Sequence, residues 1–525
     1  MLEADYVIVG GGAAGCVVAA RLSEDPKVRV LLLEAGPRDW HPWIHVPAAC
    51  LFLQHDARFN WLDASEPQST LDGRRVKIPQ GKMLGGSGSL NGMLHVRPQP
   101  EDIADWNTRG WDWETLEPIL AKAESYAPGG PGRGQQGILT VSDFSDTHPL
   151  TRAFIEACTT AGIPANPDMN GPVRRGASPF QQARKGRFRS QTAQSYLRAA
   201  RKRPNLQVQT GAQVTRIVFD GRRAVGVRFR RGGTEHDVRA SREVVLCAGA
   251  MRSPQLLQVS GIGDPAHLAK LGVPVVASSP AVGRDMRDHF LLRVAHRVGG
   301  IATINERTRG LSVVREVLRY VFKGEGMLTM GAGAAAAILS LDGETATPNV
   351  QISFAPGSFS GPGTLEREPG MTIGAWLSPG ESRGTVMAVD ADTATAPAID
   401  PRYLSAESDR QGIVSCIRLI RSLFEEPALA RWSRGETLPG PETPDDAEAI
   451  LAFARDRGAS GYHFAGTCRM GDDAASVVDG ALRVRGTEGL RVVDASVMPT
   501  PPIGNAHATV VMLAERGASL IAARS

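Results

Sequence analysis

Three glycines near the N-terminus have the spacing of a phosphate-binding turn. The sequence reads Gly10-x-Gly12-x-x-Gly15, and an acidic residue, Glu34, follows nineteen residues after Gly15. Gly10 would permit a tight turn, Gly12 would let the backbone approach a pyrophosphate, and Gly15 would let a helix pack closely on a strand. A carboxylate at Glu34 would accept hydrogen bonds from both hydroxyls of a ribose. The spacing therefore predicts a dinucleotide site.

The segments around these residues predict the elements that such a site needs. Residues 5–9 and 28–33 are apolar runs typical of buried parallel strands, and residues 16–22 are small and apolar, as in a helix packed on a sheet. The free N–H groups of that helix would face the phosphates. The motif alone fits FAD and NAD equally. No second glycine motif of this kind stands between a strand and a helix, so a bound FAD would take its electrons from the substrate itself.

The composition excludes several other classes of protein. The chain has 525 residues, of which 42% are hydrophobic and 22% charged, as in globular proteins of several domains. A net charge of +4 gives no support for nucleic-acid binding. The six cysteines form no CxxC pair, so no metal site is expected. No apolar run reaches the ~18 residues of a membrane span, and no signal peptide is recognisable, which predicts a soluble cytoplasmic protein. The oligomeric state stays open.

Five further segments carry a family resemblance. They are PQGKMLGGSGSLNGMLHVR (79–97), GAMRSPQLLQVSGIG (249–263), VGRDMRDH (282–289), YHFAGTCRMG (462–471) and VVDASVMPTPPIGNAHATVVMLA (492–514). Together with the glycine motif they resemble the glucose-methanol-choline (GMC) oxidoreductases over residues 5–293 and 376–520, and residues 294–375 match least. The resemblance implies a flavoenzyme that oxidises a small alcohol with FAD and passes the electrons to oxygen or another acceptor. The same fold also serves FAD-containing lyases of the hydroxynitrile lyase type, in which the flavin is not redox-active, and this is the alternative.

The resemblance, with the glycine motif, also implies which residues contact FAD. They are Gly10, Gly12, Ala13, Ala14, Gly15, Glu34, Ala35, Gly85, Gly86, Ser87, Asn91, Gly92, Met93, Leu94, Val214, Ala248, Asp494, Ala495, Asn505 and Ala506. In some members a histidine beside the Asn91 position carries the flavin covalently. Leu90 stands there in this chain, so FAD is expected to be non-covalent.

Two histidines, His463 and His507, match the pair that faces the flavin in the family. We expect His463 to take the hydroxyl proton while the substrate carbon passes a hydride to flavin N5, because an imidazole with a pKa near ~6.5 is a neutral base at working pH. His507 is expected to hold the developing alkoxide or to share the proton. His289, in VGRDMRDH, is expected to be a structural hydrogen-bonding residue.

The predicted fold is α/β with a discontinuous domain arrangement. Residues 1–144, 195–295 and 466–525 are assigned to a Rossmann-like FAD-binding domain. Residues 145–194 and 296–465 are assigned to an α+β substrate domain with an antiparallel sheet, in which residues 373–377 and 384–389 are expected to form a hairpin. The connection between those two strands contains a GxSxG pattern around Ser382, but a hydrolase elbow needs a helix after the serine, and a strand is predicted there.

The sequence does not identify the substrate. Residues 37–61 carry five large aromatic side chains that fit either a lid over the substrate or part of the core. They are Trp40, Trp43, Phe52, Phe59 and Trp61.

Overall fold

The first sheet has seven strands and contains the glycine motif. The computed structural model describes residues 2–144, 148–344, 346–361 and 363–523. Within them, the strand order is Leu206–Thr210, Val30–Glu34, Leu2–Val9, Thr234–Leu246, Arg223–Arg231 and Gln213–Asp220, and Leu490–Val492 also pairs with Thr234–Leu246. The pairs nearest the glycine motif are parallel, and Arg223–Arg231 and Gln213–Asp220 extend the sheet as an antiparallel ribbon.

The parallel strands are apolar because both faces of the sheet are covered. Every residue of Val30–Glu34 is buried. On one side the helix Ala13–Leu22 packs against the C-terminal helix His507–Ala522, which in turn contacts the helix Trp113–Ala123. The central strand Thr234–Leu246 is the longest of this sheet. Its first half is exposed and polar, so the sequence there lacks an apolar pattern.

The second sheet also has seven strands, and all its pairings are antiparallel. The order is Ser433–Leu438, Phe290–Val298, Gly370–Leu377, Val350–Ala355, Ala335–Leu339 and Gly176–Pro179, and Ala459–Ser460 also pairs with Phe290–Val298. One face buries alternate apolar side chains against the helices Glu407–Glu425 and Pro149–Thr160. The other face is turned toward the glycine motif and lines a cavity.

Two sequence-based expectations about this sheet need correction. The boundary placed between residues 295 and 296 falls inside Phe290–Val298, which belongs to the second sheet over its whole length, so the boundary lies before Phe290. The expected hairpin is wrong, because Gly370–Leu377 pairs with strands on both sides and Thr385–Met387 pairs with Ala398–Asp400. Asp409 accepts backbone hydrogen bonds from Glu381 and Ser382, which redirects the chain between the two strands.

The remaining elements are short strands and connecting helices. The strands are Asp63–Ala64, Lys77–Ile78, Leu94–His95, Glu124–Tyr126, Leu139–Asp143, Gln181–Gln182, Arg184–Lys185, Phe188–Arg189, Ile262–Gly263, Ala277–Ser278, Phe359–Gly361 and Thr364–Leu365. The α-helices are Pro42–His45, Cys50–Leu53, Pro100–Ala104, Arg198–Ala200, Gly249–Val259, Pro265–Lys270, Ile304–Arg307, Gly310–Lys323, Pro427–Ala430 and Ala447–Arg457.

Candidate active site

A cavity of about 410 Å³ lies between the two sheets. Both histidines of the expected pair line it, and so do all the expected cofactor residues except Gly15 and Gly85. A Cβ atom at Gly15 would lie 1.9 Å from the carbonyl oxygen of Gly10, so this glycine allows the helix to pack on the strand. Gly85 donates from its backbone N–H to the Gly11 carbonyl at 2.7 Å and thereby ties the loop around residue 86 to the glycine turn.

The glycine turn is tight and leaves open space beside its backbone. Gly10 has φ of +100°, and a Cβ there would lie 2.5 Å from the Cys247 carbonyl oxygen. At Gly12 the nearest atom to such a Cβ is 3.9 Å away, so the space beside its backbone is open to the cavity. The helix Ala13–Leu22 begins directly after this turn, and its N-terminal N–H groups favour a negatively charged ligand.

Glu34 is buried at the end of its strand and fixes the turn. Its carboxylate accepts backbone hydrogen bonds from Gly11 at 2.7 Å and from Gly36 at 2.8 Å. Burial raises the pKa of Glu34 to about 7, and these two hydrogen bonds partly oppose the rise. The same side chain also lines the cavity, which leaves it within reach of a ligand.

The cavity fits FAD by two independent observations. Its first end combines the open space at Gly12, the helix N-terminus and the Glu34 carboxylate, which suit a pyrophosphate and a ribose. At its other end the Nε2 atom of His507 is buried and has no hydrogen-bond partner among the described residues. A Cβ at Gly88 would lie 3.2 Å from that nitrogen, so a side chain there would obstruct the ring. A flat polar ring system between the two sheets would occupy this space.

His463 lies in a chain of hydrogen bonds that determines which of its ring nitrogens carries the proton. The side-chain oxygen of Asn505 accepts from Gln351 Nε2 at 3.3 Å, so the Asn505 amide nitrogen points at His463 Nε2, 3.2 Å away. Nε2 then accepts that bond, and the proton is on Nδ1. The Nδ1 atom lies 2.8 Å from Nδ1 of His289 and donates to it.

The backbone at His463 is held by a buried carboxylate. Asp288 accepts hydrogen bonds from the His463 backbone N–H at 2.7 Å, from the Ser460 hydroxyl at 2.5 Å and from the Tyr403 hydroxyl at 2.6 Å. Tyr462 has φ of 68°, which is unfavourable for a side chain of this size, and these bonds hold the residue there. Burial raises the pKa of Asp288 to about 6, and the same hydrogen bonds partly oppose the rise.

Burial keeps the imidazoles of the site neutral. It lowers the pKa of His463 to about 4. It also lowers the pKa of His507 to about 4, with a smaller contribution from the nearby charges of His95 and Arg189. For His289, burial and the adjacent His463 both lower the pKa well below its usual value. At neutral pH all three rings are therefore uncharged.

The second sheet contributes a face of small and polar side chains to the cavity. Alternate residues of three neighbouring strands point into it, namely Leu291, Arg293, Ser353, Ala355, Thr372, Gly374 and Trp376. Trp376 stacks on His289 with ring centroids 5.6 Å apart and donates from its indole N–H to the Ile503 carbonyl at 3.0 Å. We call this face, with Tyr462 and His463, the substrate end of the cavity.

Arg293 is the charged side chain of the substrate end. It forms no ion pair with a carboxylate in the described part of the chain. The acidic side chains that line the cavity are engaged elsewhere: Asp63 with Arg252 at 2.8 Å, Asp494 with Gly249 and Ser253, and Glu34 with the glycine turn. Burial raises the pKa of Tyr462, and the neighbouring Arg293 guanidinium opposes this.

Motif interpretation missed or undervalued several residues of this site. His289 and Asp288 belong to VGRDMRDH, so a signal was present. His289 was expected to be a structural hydrogen-bonding residue, and the motif did not indicate that its partner is His463. Arg293 and Trp376 lie on strands without a motif, and only the strand register places them in the cavity. The aromatic side chains of residues 37–61 divide: Trp61 lines the cavity, Phe59 is in the core, and Trp40, Trp43 and Phe52 are exposed.

The comparisons with known proteins agree with this geometry. The sequence matches the GMC oxidoreductase family over residues 4–291 and, for its C-terminal part, over residues 380–514. It is 37% identical to an alcohol dehydrogenase [acceptor] of Pseudomonas putida, with 98% of this chain and 95% of that protein covered. It is 39% identical to the mitochondrial choline dehydrogenase of Homo sapiens, with 99% and 90% covered.

A solved structure has the same fold. Pyridoxine 4-oxidase from Mesorbium loti superposes with a TM-score of 0.89 at 32% identity and covers 98% of each chain. Within the described ranges of the chain, no helix is long and apolar enough to cross a membrane. The glycine turn, the buried histidines and the full-length similarity place this chain in the GMC oxidoreductase family, as an FAD-dependent oxidoreductase that acts on alcohols.

Proposed function

We propose that the chain oxidises a small alcohol to an aldehyde or ketone with His463 as the general base. The observation that carries this assignment is the hydrogen-bond chain through Asn505, His463 and His289, which leaves the lone pair of a neutral imidazole on Nε2, toward the cavity. A positioned base of this kind contributes ~10²–10⁴-fold to a proton transfer.

Residues of this chain then take up and stabilise the proton that leaves the substrate hydroxyl. His463 Nε2 takes it from the substrate hydroxyl, displacing the weak bond from Asn505, and the imidazolium is stabilised because Nδ1–H already donates to His289. Asn505 is left free to donate to the substrate oxygen. FAD, when bound, accepts the hydride that leaves the carbon. Burial of His463 limits the access of water to the site of proton transfer.

His507 has a supporting role in this proposal. Its Nε2 atom is unpartnered and lies beside the Gly88 backbone, at the cavity wall. A hydrogen bond from this side to the developing alkoxide would stabilise its charge. Since asparagine also donates a hydrogen bond, His507→Asn should retain more activity than His507→Ala.

Arg293 supports a choice of substrate class. A guanidinium beside Tyr462 that lines the cavity without a carboxylate partner among the described residues repels a cation and attracts a carboxylate or another acceptor group. We propose that the substrate is a neutral or carboxylate-bearing alcohol, and that choline, although it is named in relatives of this chain, is a poor substrate.

Choline and its neutral carbon analogue, dimethylbutanol, test the substrate class. We expect the analogue to be oxidised with a kcat/KM about tenfold higher, and Arg293→Gln to remove most of this difference. Arg434→Gln, an exposed arginine of the same sheet, is the matched control. Preference for choline in the wild-type protein would refute the role of Arg293 while leaving alcohol oxidation intact.

We further propose that FAD is bound without a covalent link. Leu90 is buried in an apolar cluster and has no nucleophilic atom. Acid precipitation should therefore release the flavin into the supernatant, and yellow colour that stays with the pellet would contradict this. The acceptor of the electrons, oxygen or another compound, is a matter for oxygen-uptake assays, and the cytoplasmic location stays a prediction that cell fractionation tests.

A panel of alcohols given anaerobically to the FAD-loaded protein tests the proposed function as a whole. Loss of the flavin absorbance with at least one alcohol is expected. Turnover of a cyanohydrin without any loss of absorbance would favour the lyase alternative instead.

A further inference from the structure

The helix Gly310–Lys323 buries polar groups and exposes its apolar side. Its buried residues are Glu316 and Tyr320. The Glu316 carboxylate accepts from Arg307 at 2.6 Å and from the Met327 backbone N–H at 3.1 Å, and the Tyr320 hydroxyl donates to the Arg187 carbonyl at 3.0 Å. A helix on the surface of a globular protein normally turns its apolar stripe to the core. The reverse arrangement indicates a partner outside the chain.

The exposed side of this helix is a continuous apolar surface, which we call the apolar helix face. Its side chains recur at intervals of three and four residues, which places them on one side of the helix. They are Leu311 (89% exposed), Val314 (51%), Val317 (43%), Leu318 (51%), Val321 (46%) and Phe322 (77%). Phe188, in the neighbouring strand, is also exposed and lies next to Arg187, which donates to the Val321 carbonyl. An apolar patch of this extent marks an interaction site.

A row of cations borders the apolar helix face. Arg315, Arg319 and Lys323 follow one another at intervals of four residues and therefore lie along one edge of the helix. The helix contains one acid, Glu316, which is buried, and the next acid along the chain, Glu325, lies 3.8 Å from Arg319. An apolar face with a basic edge is the pattern of a helix that lies in the interface of a membrane.

We propose that the apolar helix face docks the protein on a membrane that contains anionic lipids. The apolar side chains would enter the boundary between headgroups and acyl chains, and the basic row would contact lipid phosphates. With 14 residues the helix is too short to span a bilayer, which takes about 20. A second copy of this chain would bring two basic rows together, so self-association is disfavoured. The helix lies between the two stretches that match the family, so the family's shared chemistry does not account for it.

Vesicle flotation of the full-length, FAD-loaded protein tests the proposal. We expect binding to vesicles of phosphatidylcholine with phosphatidylglycerol, weaker binding to phosphatidylcholine alone, and a loss of the difference at high salt. The double variant Leu318→Ser/Phe322→Ser should not float with either vesicle. Arg315→Gln and Lys323→Gln should each weaken binding to the anionic vesicles about fivefold.

Matched controls separate docking from folding. Val173 is 65% exposed outside the helix, so Val173→Ser should bind vesicles like the wild type. All variants should keep the flavin absorbance and the rate of alcohol oxidation of the wild type. The proposal would be overturned if the wild type bound neither vesicle, or if the double variant still floated. It would also be overturned if the wild type were a dimer that the double variant converts to a monomer, since the face would then join two copies.

Discussion

The two ends of the cavity differ in whether backbone or side-chain atoms form them. The end of the cavity at the glycine turn, which we call the cofactor end, consists mainly of backbone from contiguous segments: the Gly10–Gly15 turn, the loop around Gly86 and the helix N-terminus at Ala13. The substrate end consists of side chains on separate strands, such as Arg293 and Trp376, and of histidines held by hydrogen bonds from distant residues. Where backbone forms the site, only a few residue types fit at each position, so the sequence carries a recognisable motif. Where side chains form the site, the sequence carries a recognisable pattern only at positions whose chemistry requires one residue type.

Among substitutions at the substrate end, removal of the base should have the largest effect on the rate of flavin reduction. We expect His463→Ala to reduce the bound flavin at least about a hundredfold more slowly than the wild type, because the hydroxyl then loses its positioned general base. Stopped-flow absorbance with excess alcohol measures this rate. His507→Ala is the matched control and should lose less, so a costlier loss at His507 would reverse the assignment of the base.

Loss of the residue that positions this base should slow flavin reduction less than loss of the base itself. His289→Phe keeps a ring against Trp376 but removes the acceptor of the His463 Nδ1 proton, which leaves a buried donor unpaired. A lost partner of this kind corresponds to about a tenfold slower reduction. The pH profile of the rate should also shift, and His289→Asn, whose side-chain oxygen can accept the bond, should recover part of the loss. A variant with an unchanged rate and profile would show that His289 is only structural.

At the cofactor end, a substitution should lower the retention of FAD and leave the rate of flavin reduction nearly unchanged. Glu34→Ala removes the acceptor of two backbone hydrogen bonds in the glycine turn and the carboxylate that we expect to bind the ribose, so FAD should be lost more readily on dilution or dialysis. The rate of reduction in the fraction that keeps FAD should change little, because the carboxylate acts far from the reacting atoms. Glu3→Ala, an exposed acid on the adjacent strand, is the control. Equal flavin retention in both variants would contradict the role given to Glu34.

The same contrast explains which features the sequence could predict. The glycine turn, Glu34 and both histidines of the pair were recognisable, since each stands in a motif whose chemistry admits few substitutes. The expected hairpin was wrong because residues 373–377 and 384–389 each look like strands, and nothing local indicates that Asp409 redirects the chain between them. Arg293 carries no local signal, because its position depends on the register of Phe290–Val298 with Gly370–Leu377.

The electrostatics of the base could not be predicted from residue type either. The sequence suggested a histidine with an ordinary pKa, whereas burial lowers the pKa of His463 to about 4. The residues that bury it come from segments far apart in the chain, including Asp288, Trp376 and Asn505. The burial of His463, which lowers its pKa, thus depends on the tertiary fold.

The pH dependence of anaerobic flavin reduction tests the central claim most directly. The active form of His463 is the neutral ring, and a lowered pKa means that this form predominates at all pH values above about 4. The rate with a saturating neutral alcohol should therefore stay level from neutral pH down to about pH 5 and fall only as pH approaches 4. A wild-type rate that already declines near pH 6.5 would contradict a buried, neutral His463 as the base.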